Sequence, residues 1–289
     1  MIDSAETSEL FRACLHSLVL GVVQGLTEFL PISSTAHLRA IPILVGWKEP
    51  GVSLTAVIQL GSTTAMLVYF RSDLTNLLSG LAVAVQRGQW REPNAQLGSA
   101  VVIGTLPILL VGLGIKLFWR ENYEFSPLRS LPSMAMASIV MALLLAIAER
   151  FGSHQKCLLN IRGRDGIPIG LAQTLALIPG VSRSGSTLTA SLLDGWQRSD
   201  AARFSFLLGI PAVTLAGLAE FQNVLSNPHT SEIIPLFVGI ISAAIVSWLA
   251  IDGLLKFLRQ YSTWIFILYR ILFGILLLTW HFINIHSQV

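Results

Sequence analysis

Charge is scarce in this chain. Asp, Glu, Lys and Arg make up 12% of its 289 residues, about half the roughly 25% that ordinary soluble domains carry. Cysteine is scarcer still. Cys14 and Cys157 stand far apart and form no CxxC, which excludes a cysteine zinc site and leaves the redox compartment open. There is no Walker loop, no GxGxxG and no HExxH, so the usual nucleotide and zinc-hydrolase signatures are missing. The formal net charge of +3 is spread over loops. It provides no basic stripe for nucleic acid and implies no acidic partner. The first residues carry Asp3, Glu6 and Glu9. They lack the basic n-region of a signal peptide, so the first apolar run is expected to be retained.

Apolar sequence fills the space that charge leaves. Hydrophobic residues make up 53% of the chain, and the mean hydropathy is +0.67. Several runs reach the ~20 residues that cross a bilayer as a helix. They are too long and unbroken for barrel strands, and backbone in lipid must satisfy its own hydrogen bonds. The expected spans are 52–70, 97–118, 133–149, 204–220, 232–251 and 263–283. Two other stretches are interrupted. Residues 13–47 are broken at Pro31 and Pro42 and hold Gln24, Glu28 and His37. Residues 167–196 are broken at Pro179-Gly180 and hold Arg183. Such stretches read as re-entrant helix–loop–helix hairpins, tolerated where protein or a wet cavity covers them.

Loop charge orients the spans. Loop 71–96 carries Arg71, Arg87 and Arg91, and loop 150–166 carries Arg150, Lys156, Arg162 and Arg164. Arg198 and Arg203 lie in 197–203, and Lys256 and Arg259 in 252–262. Loop 221–231 has no Lys or Arg, and 119–132 is mixed. Placing the basic loops in the cytoplasm is consistent if each hairpin returns to the side it entered, with both termini outside. The hairpins also align without gaps. Gly21 meets Gly170, Gln24 meets Gln173, Ser33 meets Ser182, and Gly46-Trp47 meets Gly195-Trp196. The expected fold is therefore an all-α polytopic membrane protein, a single domain over 1–289. It has six transmembrane helices and two re-entrant hairpins in an inverted-topology repeat, 1–150 and 151–289, with its polar site where the broken helices meet.

Polar chemistry is concentrated at the two breaks. In GVVQGLTEFLPISSTAH, residues 21–37, Gln24 and Glu28 share one helix face. Pro31 stops the helix, Ser33, Ser34 and Thr35 follow, and His37 lies just beyond. An ionisable Glu in an apolar helix is a functional candidate by default. The plainer alternative is a solvated interfacial Glu28 with Ser33 as a helix cap. In PGVSRSGST, residues 179–187, Ser182, Ser184, Ser186 and Thr187 crowd Arg183, and Gly185 permits close backbone approach. A helix starting there would aim free N–H groups at an anion, and Arg adds a planar fork suited to phosphate oxygens. The plainer alternative is an Arg that snorkels to lipid headgroups. An anion clamp, an acid, a histidine and hydroxyls together suit phosphoryl transfer. A carboxylate beside an amide can also hold a hard divalent cation that keeps most of its waters.

QGLTEFLPISSTAH and PGVSRSGST closely resemble the two signature segments of the bacterial undecaprenyl-diphosphate phosphatase, or bacitracin-resistance, family. The likeness extends into VIQLGS at 57–62 and FSFLLGIP at 204–211. It implies an enzyme of the bacterial plasma membrane, with its site open to the outer face. Its substrate would be an isoprenyl diphosphate lipid, cleaved to the monophosphate carrier and inorganic phosphate, with Mg2+ or Ca2+ as cofactor. The resemblance places catalysis on Glu28, His37, Arg183 and Ser34. It places substrate binding on Gln24, Ser33, Thr35, Ser182, Ser184, Gly185, Ser186 and Thr187, and the cation on Glu28 with Gln24. Many members have Glu where this chain has Gln24, which weakens a two-carboxylate metal site. His37 is expected as nucleophile or proton donor, with Ser34 as the rival nucleophile. A lipid-phosphate flippase or anion transporter is the alternative class. The Lys-rich and Arg–His–Asp motifs of acid-phosphatase-type lipid phosphatases are absent. Homodimerisation is left open.

Overall fold

The computed structural model describes residues 4–47, 52–119, 122–123, 126–226 and 233–286. Among them the chain is helical. The only β-type pairing among the described residues is one isolated bridge between Lys156 and Trp196. The helices are α1 (Ser4–Phe29), α2 (Ser34–Val45), α3 (Val52–Tyr69), α4 (Arg71–Arg87), α5 (Pro93–Phe118), α6 (Leu131–Phe151), α7 (Gly166–Thr174), α8 (Arg183–Leu193), α9 (Arg198–Ser226), α10 (Ile233–Gln260) and α11 (Trp264–His286). A 3-10 turn, Leu175–Leu177, extends α7.

Among the described residues, six segments are long and apolar enough to cross a membrane: Thr7–Phe29, Pro93–Phe118, Leu131–Phe151, Arg198–Ala219, Ile233–Gln260 and Trp264–Asn284. The chain is a multi-pass membrane protein. Its outward-facing apolar side chains agree, for Leu110, Ile245 and Leu268 are exposed on α5, α10 and α11. Such a belt is stable only against lipid. Five of these six segments match expected spans. The sixth differs. The first arm of the 13–47 stretch is part of α1, a 26-residue helix, because Ser4–Arg12 continues the helix ahead of the apolar run. Conversely, the apolar part of α3 among the described residues is Val57–Tyr69, shorter than a span.

Two sequence expectations are corrected. Pro42 does not break the second arm, since α2 runs through it and ends at Gly46 in the left-handed conformation. Residues 71–96 are not merely a loop, because they contain α4. That helix buries Leu77, Gly80 and Ala84 along one side, a spacing of three and four that marks an amphipathic helix. The break at Pro179-Gly180 is as expected. The flanking α7 and α8 have 9 and 11 residues, each well short of the ~20 needed for a crossing. Of the loops used for orientation, residues 227–232 and Arg120, Glu121 and Glu124 lie outside the described residues.

Helix packing comes in matched pairs. α1 packs most extensively on α10, and α7 on α5. α3 also packs on α10, and α9 on α5, while α3 meets α9 and α6 meets α11. Glycine permits the closest approaches. A Cβ at Gly21 of α1 would lie 1.9 Å from Ser242 Oγ of α10. A Cβ at Gly170 of α7 would lie 2.2 Å from the Gly104 carbonyl of α5. A large core joins Phe29, Phe70, Trp196, Phe204 and Phe206 between these layers. At one end Glu149, whose side chain is almost wholly buried, forms a salt bridge to Arg198 and accepts a 2.8 Å bond from Thr263 Oγ1.

Candidate active site

The site forms where two helices stop. α1 ends at Phe29, before Pro31, and α2 starts at Ser34. The 3-10 turn after α7 ends before Pro179-Gly180, and α8 starts at Arg183. The residue before each new helix is a serine in the left-handed region, Ser33 at φ 75° and Ser182 at φ 74°. This conformation is uncommon for a residue with a side chain. It turns the chain sharply, so the first turns of α2 and α8 both face one cavity of about 120 Å³. The cavity is lined by Glu28, Ser33, Ser34 and Thr35 from the first break, and by Ser182 and Arg183 from the second. Gln59 of α3, Val213 of α9, and Ala176, Ile178 and Gly180 line it as well.

Glu28 is the hub. One carboxylate oxygen, Oε2, accepts from Ser34 Oγ at 2.7 Å and from Gln24 Nε2 at 3.1 Å. The other, Oε1, meets Arg183 Nη2 at 3.3 Å. The Glu28 and Arg183 side chains are 7% and 9% exposed. A buried ion pair of this kind carries a large desolvation penalty, and removing one partner strands the other. Arg183 Nη1 donates to the Ser205 carbonyl at 3.3 Å, while its Nε has no hydrogen-bond partner. The fork is thus held at both Nη corners, with Nε left over. Ser182 caps α8 by accepting from Gly185 N at 3.1 Å, whereas Ser33 makes no such side-chain cap on α2. Two helix N-termini aimed at one cavity with an arginine favour an anion there.

The remaining sequence candidates lie around this hub. Gln24 sits behind Glu28. Ser184 Oγ reaches back to the Leu30 carbonyl at 3.1 Å and ties the breaks together. Ser186 and Thr187 both donate to the Arg183 carbonyl, at 3.0 and 2.8 Å. Thr187 also meets Ser205 Oγ at 2.5 Å. These hydroxyls and Gly185 brace the first turn of α8 and do not line the cavity. His37 does not line it either. Its Nδ1 is 2.7 Å from the Ser33 carbonyl and its Nε2 is 2.7 Å from Tyr269 Oη. A carbonyl can only accept, so the neutral ring carries its proton on Nδ1 and accepts a hydrogen bond from the Tyr269 hydroxyl at Nε2. The ring also stacks on Phe273, with centroids 4.1 Å apart.

Three contributors escaped the sequence reading. Gln59 lies in the VIQLGS segment but is not singled out there. Tyr269 is visible only through its contact with His37. Arg270 had a signal, a lone charge inside an expected span, and that pattern marks a functional or structural polar contact. For a cation, Glu28 is the one carboxylate lining the cavity. No trio of His, Cys, Asp or Glu that could hold a metal occurs among the described residues. One carboxylate and one amide fit an ion that draws its other ligands from water and phosphate.

A family model described as bacitracin resistance protein BacA matches residues 17–276. An undecaprenyl-diphosphatase of Prochlorococcus marinus (strain MIT 9303) is 66% identical over 280 residues, covering 97% of this chain and 95% of that protein. One from Synechococcus sp. (strain WH7803) is 66% identical over 271 residues, 94% of each. One from Parasynechococcus marenigrum (strain WH8102) is 63% identical over 280 residues, 97% of this chain and 98% of that protein.

Proposed function

The chain belongs to the bacitracin resistance protein BacA family, and from that membership we propose that it hydrolyses undecaprenyl diphosphate to undecaprenyl phosphate and inorganic phosphate. This recycles the lipid carrier for cell-wall polymers and confers bacitracin resistance. One observation carries the reading to this chain's own atoms. A hydroxyl, a carboxylate and a guanidinium share one cavity at hydrogen-bond distance, Ser34 to Glu28 at 2.7 Å and Glu28 to Arg183 at 3.3 Å.

The arrangement supports Ser34 as nucleophile over His37. Glu28 Oε2 takes the Ser34 proton as Oγ attacks the terminal phosphorus, and the bond to the bridging oxygen breaks. The lipid monophosphate leaves, and a water then cleaves the phosphoserine to release phosphate. Arg183 and the first-turn N–H groups of α2 neutralise the equatorial oxygens, the dominant requirement in phosphoryl transfer. His37 acts on the far side of Ser33, holding the backbone that aims Ser34. A divalent cation, Mg2+ or Ca2+, would be held by Glu28, the carboxylate that lines the cavity, with the Gln24 amide behind it, and would supply further charge neutralisation.

The two breaks are read as re-entrant hairpins of an inverted repeat spanning 1–150 and 151–289. Three facts support this. The left-handed Ser33 and Ser182 are equivalent at the offset of the sequence alignment, as are the left-handed Gly46 and Gly195. The close-packed Gly21 and Gly170 are equivalent too. The pairing of α1 with α10 mirrors that of α7 with α5. Basic-loop placement supports a site facing the outer side of a bacterial inner membrane.

The repeat also favours a second reading, a lipid-phosphate flippase or anion transporter. The deciding experiment is phosphate release from C55 isoprenyl diphosphate by purified protein in detergent, where no gradient exists. The phosphatase releases phosphate catalytically, and chelator suppresses it by well over tenfold. Binding without release would leave the carrier reading in possession.

A further inference from the structure

Arg270 is fully buried, with no solvent exposure, in the first half of the apolar helix α11. Burying a guanidinium in a membrane protein is expensive unless its donors are all used. No carboxylate balances it among the described ion pairs. Backbone carbonyls hold it instead. Nη1 donates to Pro31 O at 2.8 Å. Nη2 donates to Gly180 O at 2.9 Å and Val181 O at 3.0 Å. Nε donates to Ser138 O of α6 at 3.1 Å.

The choice of carbonyls is informative. Pro31 O belongs to the break that presents Ser34. Gly180 O and Val181 O belong to the break that presents Arg183. Pro31 and Gly180 are equivalent at the same alignment offset that relates Ser33 to Ser182. One planar fork therefore grips the matching carbonyl of each break and fixes their separation. The preceding residue reinforces the grip, since Tyr269 Oη holds His37, whose other nitrogen holds the Ser33 carbonyl. Arg270 lines no part of the cavity and touches no reacting group.

We propose that Arg270 is a positioning residue that sets the register between the nucleophile break and the arginine break, so that Ser34 and Arg183 address the same phosphoryl group. This rests on the phosphatase reading. Its role differs from that of a general fold anchor because it acts through Arg183 and Ser34. Lysine is the informative replacement. It keeps the charge but has three donors on one point, so it cannot span carbonyls on three elements.

The test is a cycle of wild type, Arg270→Lys, Arg183→Ala and the double variant. Phosphate release from C55 isoprenyl diphosphate is measured alongside melting temperature and binding of a methylene-bridged isoprenyl bisphosphonate. Arg270→Lys is expected to fold and to bind the analogue within about fivefold of wild type, yet to lose on the order of 10²-fold in kcat, as geometric misplacement does. The double variant should be no slower than Arg183→Ala beyond about threefold, because residues acting as one unit are non-additive. Multiplying losses, near-normal kcat in Arg270→Lys, or failure of Arg270→Lys and Arg270→Gln alike to fold would each overturn the proposal. Inactive wild type would instead sink the phosphatase reading itself.

Discussion

Glu28 has two partners that pull it toward different tasks. In the proposed mechanism Ser34 needs it as a base, and Arg183 pairs with it as a counter-charge. A phosphate arriving at the guanidinium would compete for the second role and leave the first. Acid-quenched single turnovers should therefore trap phosphate on the peptide containing Ser34 as an acid-stable ester, and Ser34→Ala should abolish the adduct and the activity together. An acid-labile adduct on His37 would reverse the assignment. Arg183→Lys should be nearly as damaging as Arg183→Ala, with a loss on the order of 10²-fold or more in kcat/KM, since lysine keeps the charge but not the fork. Turnover close to wild type in the lysine variant would reduce Arg183 to a headgroup anchor.

At the scale of elements, the breaks work because short helices start on strained serines and lean on tightly packed neighbours. Gly170 shows how little room there is, with the Gly104 carbonyl 2.2 Å from where its Cβ would stand. Backbone cannot rotate away as a side chain can. Gly170→Ala should push α7 off α5 and destabilise the protein by about 1–3 kcal/mol, the usual range for overpacking. Its melting temperature and its activity should fall together, because α7 leads into the Arg183 break. Gly114, on α5 with nothing within 4 Å of its virtual Cβ, is the control. Gly114→Ala should leave the melting temperature unchanged or raise it. An unaffected Gly170→Ala would mean that the α5–α7 contact is looser than the structure has it.

Elements were legible in the sequence to different depths. Pro179-Gly180 announced its break, because nothing else in an apolar run forces one. Pro42 suggested a break that α2 absorbs, since a proline near a helix end removes one hydrogen bond and that helix stops three residues later, at Val45. α4 was hidden because its narrow apolar stripe of Leu77, Gly80 and Ala84 is outweighed by polar residues. At the site, Glu28, Ser34 and Arg183 were readable because each is costly in an apolar context. His37 was readable as unusual, but its direction was not, because only the fold places Ser33 on one side of it and Tyr269 on the other.

For the whole molecule, the inverted-repeat reading explains why two similar breaks yield one site. Ser34 and Arg183 occupy equivalent positions, each first in its new helix, and both reach Glu28. The position equivalent to Glu28 in the second half is Leu177. On this reading one half supplies hydroxyl and carboxylate and the other the guanidinium fork, so the proposed mechanism needs both. Such a site needs both breaks open to one aqueous face. The proposed face is the outer one, which basic-loop placement favours. Thr35 and Ala176 report on it, because they line the cavity from opposite breaks without belonging to the hydrogen-bonded hub. In a background with Cys14 and Cys157 replaced by serine, Thr35→Cys and Ala176→Cys should each react with a membrane-impermeant thiol reagent added outside intact cells. Bound isoprenyl diphosphate should protect both. Reaction only from the cytoplasmic face would overturn the outward orientation. Reaction of one position from each face would instead favour alternating access, because a fixed hydrolytic cavity cannot open its two walls to opposite sides of the membrane.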